Sequence, residues 1–224
     1  MAHAQASMPP IKAQPASRFM AMLSVPWVDK TIAIVAVTPN VIELYHRYTG
    51  ATLTFPRAVL GIQVFILIIT MVFRRTPIRV TPNPWFWLLA FVATYGVMTF
   101  TAFTPNGVPI VPLIIPSVLA IVSAIIFIYA RLSLGRSIGF VPANRGIVTR
   151  GAYKFVRHPV YTGAFLAMLA LVLRSYSRLN VLLAATIVVL FMVKSIVEEH
   201  FLKDDAAYAA YLQHVRWRWI PGIA

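Results

Sequence analysis

Six stretches of the chain are apolar almost without interruption: residues 29–46, 56–73, 85–103, 109–130, 159–174 and 179–197. None shows the ten-residue alternation of polar and apolar positions expected of a strand in a membrane barrel. The pattern predicts helices, because a backbone that crosses hydrocarbon must satisfy its own hydrogen bonds. A core of about 30 Å takes ~20 helical residues, and shorter runs are accommodated by thinning or snorkelling. The expected fold class is therefore an all-α polytopic membrane protein with about six transmembrane helices. The number falls to five if residues 29–46 lie on the surface, since that stretch holds Pro39, Asn40 and Glu43. Pro112 and Pro116 are expected to kink the fourth helix. Glu43 and Arg47, four residues apart, should form a local ion pair. Trp85, Trp87, Trp217 and Trp219 are expected to anchor at the interface.

Composition excludes the soluble alternative. The chain is 59% hydrophobic and 12% charged over 224 residues, with a mean hydropathy of +0.77. Soluble domains carry roughly twice that charged share, and a soluble core of this size has no room for so much apolar surface. The formal net charge of +14 does not point to nucleic acid, because the basic residues sit between apolar runs and not on one face. With the N-terminus inside and six spans, sixteen of the twenty Lys and Arg fall on inner segments. Only Arg47, Arg57, Arg174 and Arg178 fall outside. This bias predicts a multi-pass protein of a bacterial inner membrane with both termini cytoplasmic. Residues 1–28, with Pro9, Pro10 and Pro15, read as a cytoplasmic arm, since no apolar run precedes a cleavage site. Residues 29–130 form the N-terminal helices, and residues 131–224 carry the candidate chemistry. There is no cysteine, which removes disulfides and thiolate nucleophiles. No phosphate-binding loop, His–Glu metal spacing or internal repeat is visible.

The linker between the fourth and fifth segments, residues 131–158, holds six of the twenty basic residues and four of the ten glycines. Long connections without regular structure are often functional. It ends in Arg157-His158-Pro159. Proline favours an extended residue before it and suits the first position of a helix. His158 should therefore stand at the membrane surface, just ahead of the fifth helix, whose free N–H groups attract anions. Arg157, Tyr161 and Gly163 converge there. A very short turn near Ser175–Arg178 makes the fifth and sixth helices an antiparallel hairpin. His158 should then lie beside Glu198, with Lys194 on the same face of the sixth helix. Two adjacent carboxylates, Glu198 and Glu199, oppose the dipole of a cytoplasmic helix end and favour a cationic or hydroxyl-rich partner. Asp204 is expected to cap a short amphipathic helix whose Tyr208, Tyr211, Leu212 and Val215 make one apolar face.

Gly151-Ala-Tyr-Lys-Phe-Val-Arg-His-Pro-Val-Tyr-Thr-Gly163, followed by Glu198-Glu199 and a terminal Tyr208–Pro221 segment, resembles the isoprenylcysteine carboxyl methyltransferase and phospholipid methyltransferase superfamily. The resemblance covers about residues 131–221. It implies an integral membrane methyltransferase, with S-adenosylmethionine as cofactor and a lipophilic or membrane-anchored acceptor reaching the site from the bilayer. Cofactor contacts would fall on Arg145, Gly146, Ile147, Val148, Tyr153, His158, Pro159, Val160, Tyr161 and Glu198. Substrate contacts would fall on Lys194 and Arg157. Lysine stands where the family often has arginine, and the two cations are not equivalent. Methyl transfer from a sulfonium needs alignment more than acid–base help. An amine or thiol acceptor would need a base, for which His158 and Glu199 are the candidates, whereas a carboxylate would not. Two other readings stand beside this one. Membrane sterol reductases use a similar Arg-His-Pro-x-Tyr element with a reduced nicotinamide cofactor, but Val160 and Ala164 depart from their pattern. A non-enzymatic protein whose basic loop binds anionic lipid fits the paired carboxylates poorly.

Overall fold

The computed structural model describes residue 22 and residues 25–49, 55–102 and 107–222. Most of the N-terminal arm, and the side chains of Glu43 and Arg47 with their expected ion pair, lie outside the described residues. Seven α-helices are present among those described: α1 (Pro26–Tyr48), α2 (Phe55–Val72), α3 (Pro84–Ala102), α4 (Ile114–Leu134), α5 (Pro159–Arg174), α6 (Arg178–Leu202) and α7 (Ala206–His214). Proline opens α1, α3 and α5, where its missing N–H costs nothing. Ser177 caps α6 by accepting from the Asn180 amide at 3.0 Å.

Three boundaries differ from the sequence reading. The fourth helix starts at Ile114, so Pro112 precedes it and Pro116 lies in its first turn. Neither proline interrupts an intrahelical hydrogen bond there, and the expected kink has no cause. The sixth helix runs on to Leu202. The cap of α7 is Asp205, not Asp204: Asp205 Oδ1 accepts from the amides of Ala207 at 2.9 Å and Tyr208 at 3.2 Å.

Connections on the chain alternate between two ends of the bundle. At one end Val108 and Tyr176 exchange backbone hydrogen bonds of 3.1 and 2.8 Å, joining the segment before α4 to the α5–α6 turn. At the other, β1 (Arg79–Val80) pairs antiparallel with β2 (Ala143–Asn144), joining the α2–α3 connection to the α4–α5 linker. Helix α5 packs tightly on α4. Ser123 Oγ donates to the Gly163 carbonyl at 2.8 Å, and a β-carbon on Gly163 would stand 2.9 Å from the Phe127 ring. Only glycine permits that approach.

The polarity of the bundle is inverted relative to a soluble protein. Ser123, Asn180 and Ser195 are buried, while Ile125 and Leu182 are 61% and 63% exposed. An apolar exterior of this extent is lipid-facing. The helical segments Ile114–Ser137 and Arg178–Leu202 are long and apolar enough to cross a membrane, and shorter apolar helices run over Gly61–Val72, Pro84–Tyr95 and Pro159–Arg174. Of the six predicted spans, two therefore meet that standard at full length. Helix α1, with Asp29, Lys30 and Pro39, belongs to neither group.

The N-terminal helices are fastened to the linker by buried charge. Asp29 accepts from Arg74 Nη2 and Arg145 Nη2, both at 2.7 Å through Oδ1, and all three residues are buried. Arg74 Nε and Arg145 Nη1 reach Oδ2 at 3.0 and 3.2 Å. Arg145 also donates to the Arg75 carbonyl. Lys30 Nζ donates to the carbonyls of Val72 and Arg74 at 2.6 and 2.7 Å, so the start of α1 meets the end of α2.

Candidate functional site

Pro159 takes the first position of α5, and His158 precedes it with a non-helical backbone, φ −129° and ψ 62°. The α5–α6 turn brings this helix start beside the end of α6, as the hairpin reading requires. The carboxylate that His158 meets is, however, Glu199 and not Glu198. His158 Nε2 lies 3.0 Å from Glu199 Oε1. Adjacent residues on a helix point about 100° apart, and it is Glu199 that faces inward.

Glu199 is the centre of a closed network. Arg157 Nη1 donates to its Oε2 at 3.0 Å, and Arg218 donates through Nε at 3.1 Å and Nη2 at 2.9 Å. These contacts fix a C-terminal strap, residues 215–221, across the start of α5. The amides of Arg157 and His158 donate to the carbonyls of Trp217 and Arg218 at 2.9 and 2.8 Å. Arg157 Nη2 donates to the Arg216 carbonyl at 2.8 Å. Thr162 Oγ1 donates to the Trp219 carbonyl, and the Trp219 indole donates to Ser195 Oγ at 3.0 Å. Trp219 is therefore packed against Ser195 and Phe165 and is not an interfacial anchor. Trp85, 72% exposed, fits that role. The Trp87 indole donates to the Thr81 carbonyl at 2.9 Å, within the cluster around Val28 and Val80.

The second carboxylate is differently placed. Glu198 Oε2 accepts a single long hydrogen bond from Tyr161 Oη at 3.3 Å. Tyr161 stacks on His158 with centroids 5.4 Å apart and on Phe191 at 5.1 Å. Lys194, buried, lies 6.0 Å from the Tyr161 ring centroid, a weak cation–π distance. Its ammonium donates to Thr94 Oγ1 on α3 at 3.2 Å. It does not snorkel outward. The Tyr153 phenol is also within this field: burial first, and then the Glu198 charge, push it above its ordinary value, so it stays neutral. Tyr153, Tyr161, Lys194 and Glu198 thus share one neighbourhood.

The linker residues divide. The Arg145 guanidinium is spent on Asp29 and the Arg75 carbonyl and faces the N-terminal helices. Gly146 has φ +94°, a left-handed conformation that favours glycine, and its amide donates to Asn144 Oδ1 at 2.9 Å. Ile147 and Tyr153 pack on the apolar face formed by Tyr208, Tyr211, Leu212 and Val215. That face is as predicted, and it lies over the linker. Tyr211 Oη donates to the Tyr153 carbonyl at 2.7 Å, and Asn144 Nδ2 to Asp205 Oδ2 at 2.6 Å. Val148 is half-buried beside Ile147, and Val160 occupies the first turn of α5. Arg157 turns to Glu199 and the strap, away from the face that holds Lys194. Sequence reasoning missed Thr94, Ser195 and Arg218. Only the basic and aromatic run at 216–219 carried any signal, and it reads equally well as an interface anchor.

Residues 111–209 match the family model for phospholipid methyltransferase. That family is part of the isoprenylcysteine and phospholipid methyltransferase superfamily. No curated protein matches the chain. The matched methyltransferase region contains His158 to Tyr161, Lys194, Glu198 and Glu199, all on the α5–α6 hairpin. Helices α1 to α3 lie outside it, and so do the strap and Thr94. The match to this family of membrane proteins and the two membrane-capable helices agree that the chain is a membrane protein.

Proposed function

We propose that this protein is an integral membrane methyltransferase that moves a methyl group from S-adenosylmethionine to a lipophilic acceptor at the cytoplasmic face. The observation that carries the reading is the contrast between the paired carboxylates. Glu199 is saturated by two arginines and a histidine from within the fold, whereas Glu198 holds only the long bond from Tyr161. That leaves lone pairs on Glu198 for the ribose hydroxyls or methionyl ammonium of the cofactor. The start of α5 offers the Val160 N–H to its carboxylate. Ile147, Val148 and Tyr153 supply apolar walls, and the donor set therefore suits the cofactor. When bound, the cofactor supplies a methyl group on a sulfonium.

The residues of the chain then orient and shield. Lys194, one turn from Glu198 and on the membrane side of it, holds the acceptor. His158 and Glu199 are engaged with each other and with the strap, so neither is placed as a general base. That arrangement favours an acceptor already nucleophilic at neutral pH, a carboxylate, over an amine or thiol.

Calorimetry of the detergent-purified protein with S-adenosylhomocysteine and, separately, NADPH tests the reading. A dissociation constant in the micromolar range, ~8 kcal/mol at 1 μM, is expected for the first and none for the second. Glu198→Ala should weaken binding at least tenfold. Binding of NADPH in place of S-adenosylhomocysteine would replace this reading with that of a reductase.

A further inference from the structure

A groove of about 300 Å³ lies between the Lys154–Phe155 segment and the C-terminal strap, and neither Glu198 nor Lys194 lines it. It is lined by Lys154, Phe155, His214, Val215, Arg216 and Trp217 among others, and no carboxylate of the described residues lines it. Lys154, His214 and Arg216 are exposed, and Phe155 is 64% exposed beside them. His214 Nδ1–H donates to the Ala210 carbonyl at 2.8 Å, so a neutral imidazole presents Nε2 as an acceptor.

We infer that this groove binds the headgroup of an anionic phospholipid, with Lys154 and Arg216 around the phosphate, His214 Nε2 accepting from a headgroup hydroxyl, and the glycerol and upper acyl chain against Phe155 and Trp217. Three features carry the assignment. Lys154 and Arg216, with no carboxylate among the described residues lining the groove, call for an anion, and they repel a ligand whose net charge is positive, such as S-adenosylmethionine. An exposed phenylalanine and a tryptophan set among those cations call for a ligand that is charged at one end and apolar at the other. Basic and aromatic side chains mixed in this way are found where a protein meets the lipid headgroup layer. The groove is also at the right level. Lys154 and Phe155 lie five and four residues before Pro159, where α5 begins. Arg216 and Trp217 belong to the strap that crosses this helix start. The ligand would thus sit against the strap that is pinned to Glu199.

Brominated acyl chains quench tryptophan on contact, and Trp217 is itself part of the lining. The full chain in nonionic detergent is titrated with phosphatidylglycerol or phosphatidylcholine carrying brominated chains. Phosphatidylglycerol should quench at lower concentration, and the excess over phosphatidylcholine should vanish in Trp217→Phe. The double variant Lys154→Gln/Arg216→Gln should lose roughly tenfold or more in apparent affinity for phosphatidylglycerol only, and Lys154→Arg/Arg216→Lys should keep it. Both side chains are exposed, so these changes leave the fold intact. Equal quenching by the two lipids, or an unchanged titration in the glutamine variant, overturns the assignment. Displacement of phosphatidylglycerol by millimolar inorganic phosphate, beyond that given by sodium chloride of equal ionic strength, overturns it in favour of a free-anion site.

Discussion

Glu199→Gln should release the C-terminal strap without abolishing the fold. The substitution keeps shape and removes one charge from a carboxylate that holds Arg157, His158 and Arg218. Removing one partner of a buried ion pair costs about 3–5 kcal/mol, because the remaining charge is left in a poor solvent. The lower end applies here, since the Arg218 side chain is 26% exposed and water takes up part of its charge. A cost of about 3 kcal/mol is roughly a hundredfold in an opening equilibrium. The amides of Arg157 and His158 donate to the strap carbonyls and report that opening directly. Hydrogen exchange followed by mass spectrometry should show them exchanging roughly a hundredfold faster. Glu198→Gln is the control. It loses one bond of 3.3 Å, worth no more than about 1 kcal/mol, and should leave the same amides within about tenfold of wild type. Equal acceleration in the two variants, or none in Glu199→Gln, would refute the division of the paired carboxylates into one that builds and one that binds.

Other expectations rest on separate features. Lys194→Met should keep S-adenosylhomocysteine affinity within a few-fold while cutting methyl transfer severely, and Lys194→Arg should retain more activity than Met; parallel binding and turnover assays check this. Asp29→Ala strands the buried guanidiniums of Arg74 and Arg145 and should destabilise by about 3–5 kcal/mol, read as thermal unfolding in detergent. Asp205→Ala removes the cap of α7 and the bond to Asn144 and should cost about 1–2 kcal/mol, without changing the acceptor preference. Burial pushes the phenols of Tyr208 and Tyr211 up from their ordinary value. The unfolded chain then loses those protons first, so stability should fall above about pH 10 by at most ~1.4 kcal/mol per pH unit for each tyrosine. Phenolate absorbance that rises only with unfolding, and not before it, is the expected signature.

The helical class, the positions of six apolar segments and the proximity of the α5 start to the α6 end were all legible in the sequence. Each depends on local pattern: apolar run length, a proline at a helix start, and a turn too short for anything but a hairpin. The choice between Glu198 and Glu199 was not legible. It depends on the rotation of α6 about its axis, which is set by Arg218 and by Ser195 meeting Trp219, and these contacts come from a segment with no periodic signal. The commitment of Arg145 was hidden for a similar reason, since its partner Asp29 stands 116 residues earlier. Asp204 and Asp205 are equally good caps by type, and one residue of phase decides between them. The burial of Lys194 reflects Thr94, one of several hydroxyls on α3, and nothing in the sequence singles it out.

The Asp29 triad has a consequence for how the chain is made. Asp29 and Arg74 leave the ribosome before Arg145 and together form a neutral pair that ties the start of α1 to the end of α2. Arg145 is synthesised later and joins a site already complete in charge. It is drawn there by a carboxylate with a second oxygen to offer and by the Arg75 carbonyl. The first helices thus serve as a preassembled socket, and the linker that precedes the methyltransferase hairpin plugs into it. Synthesis in this order leaves for last the burial of a second guanidinium on a single carboxylate.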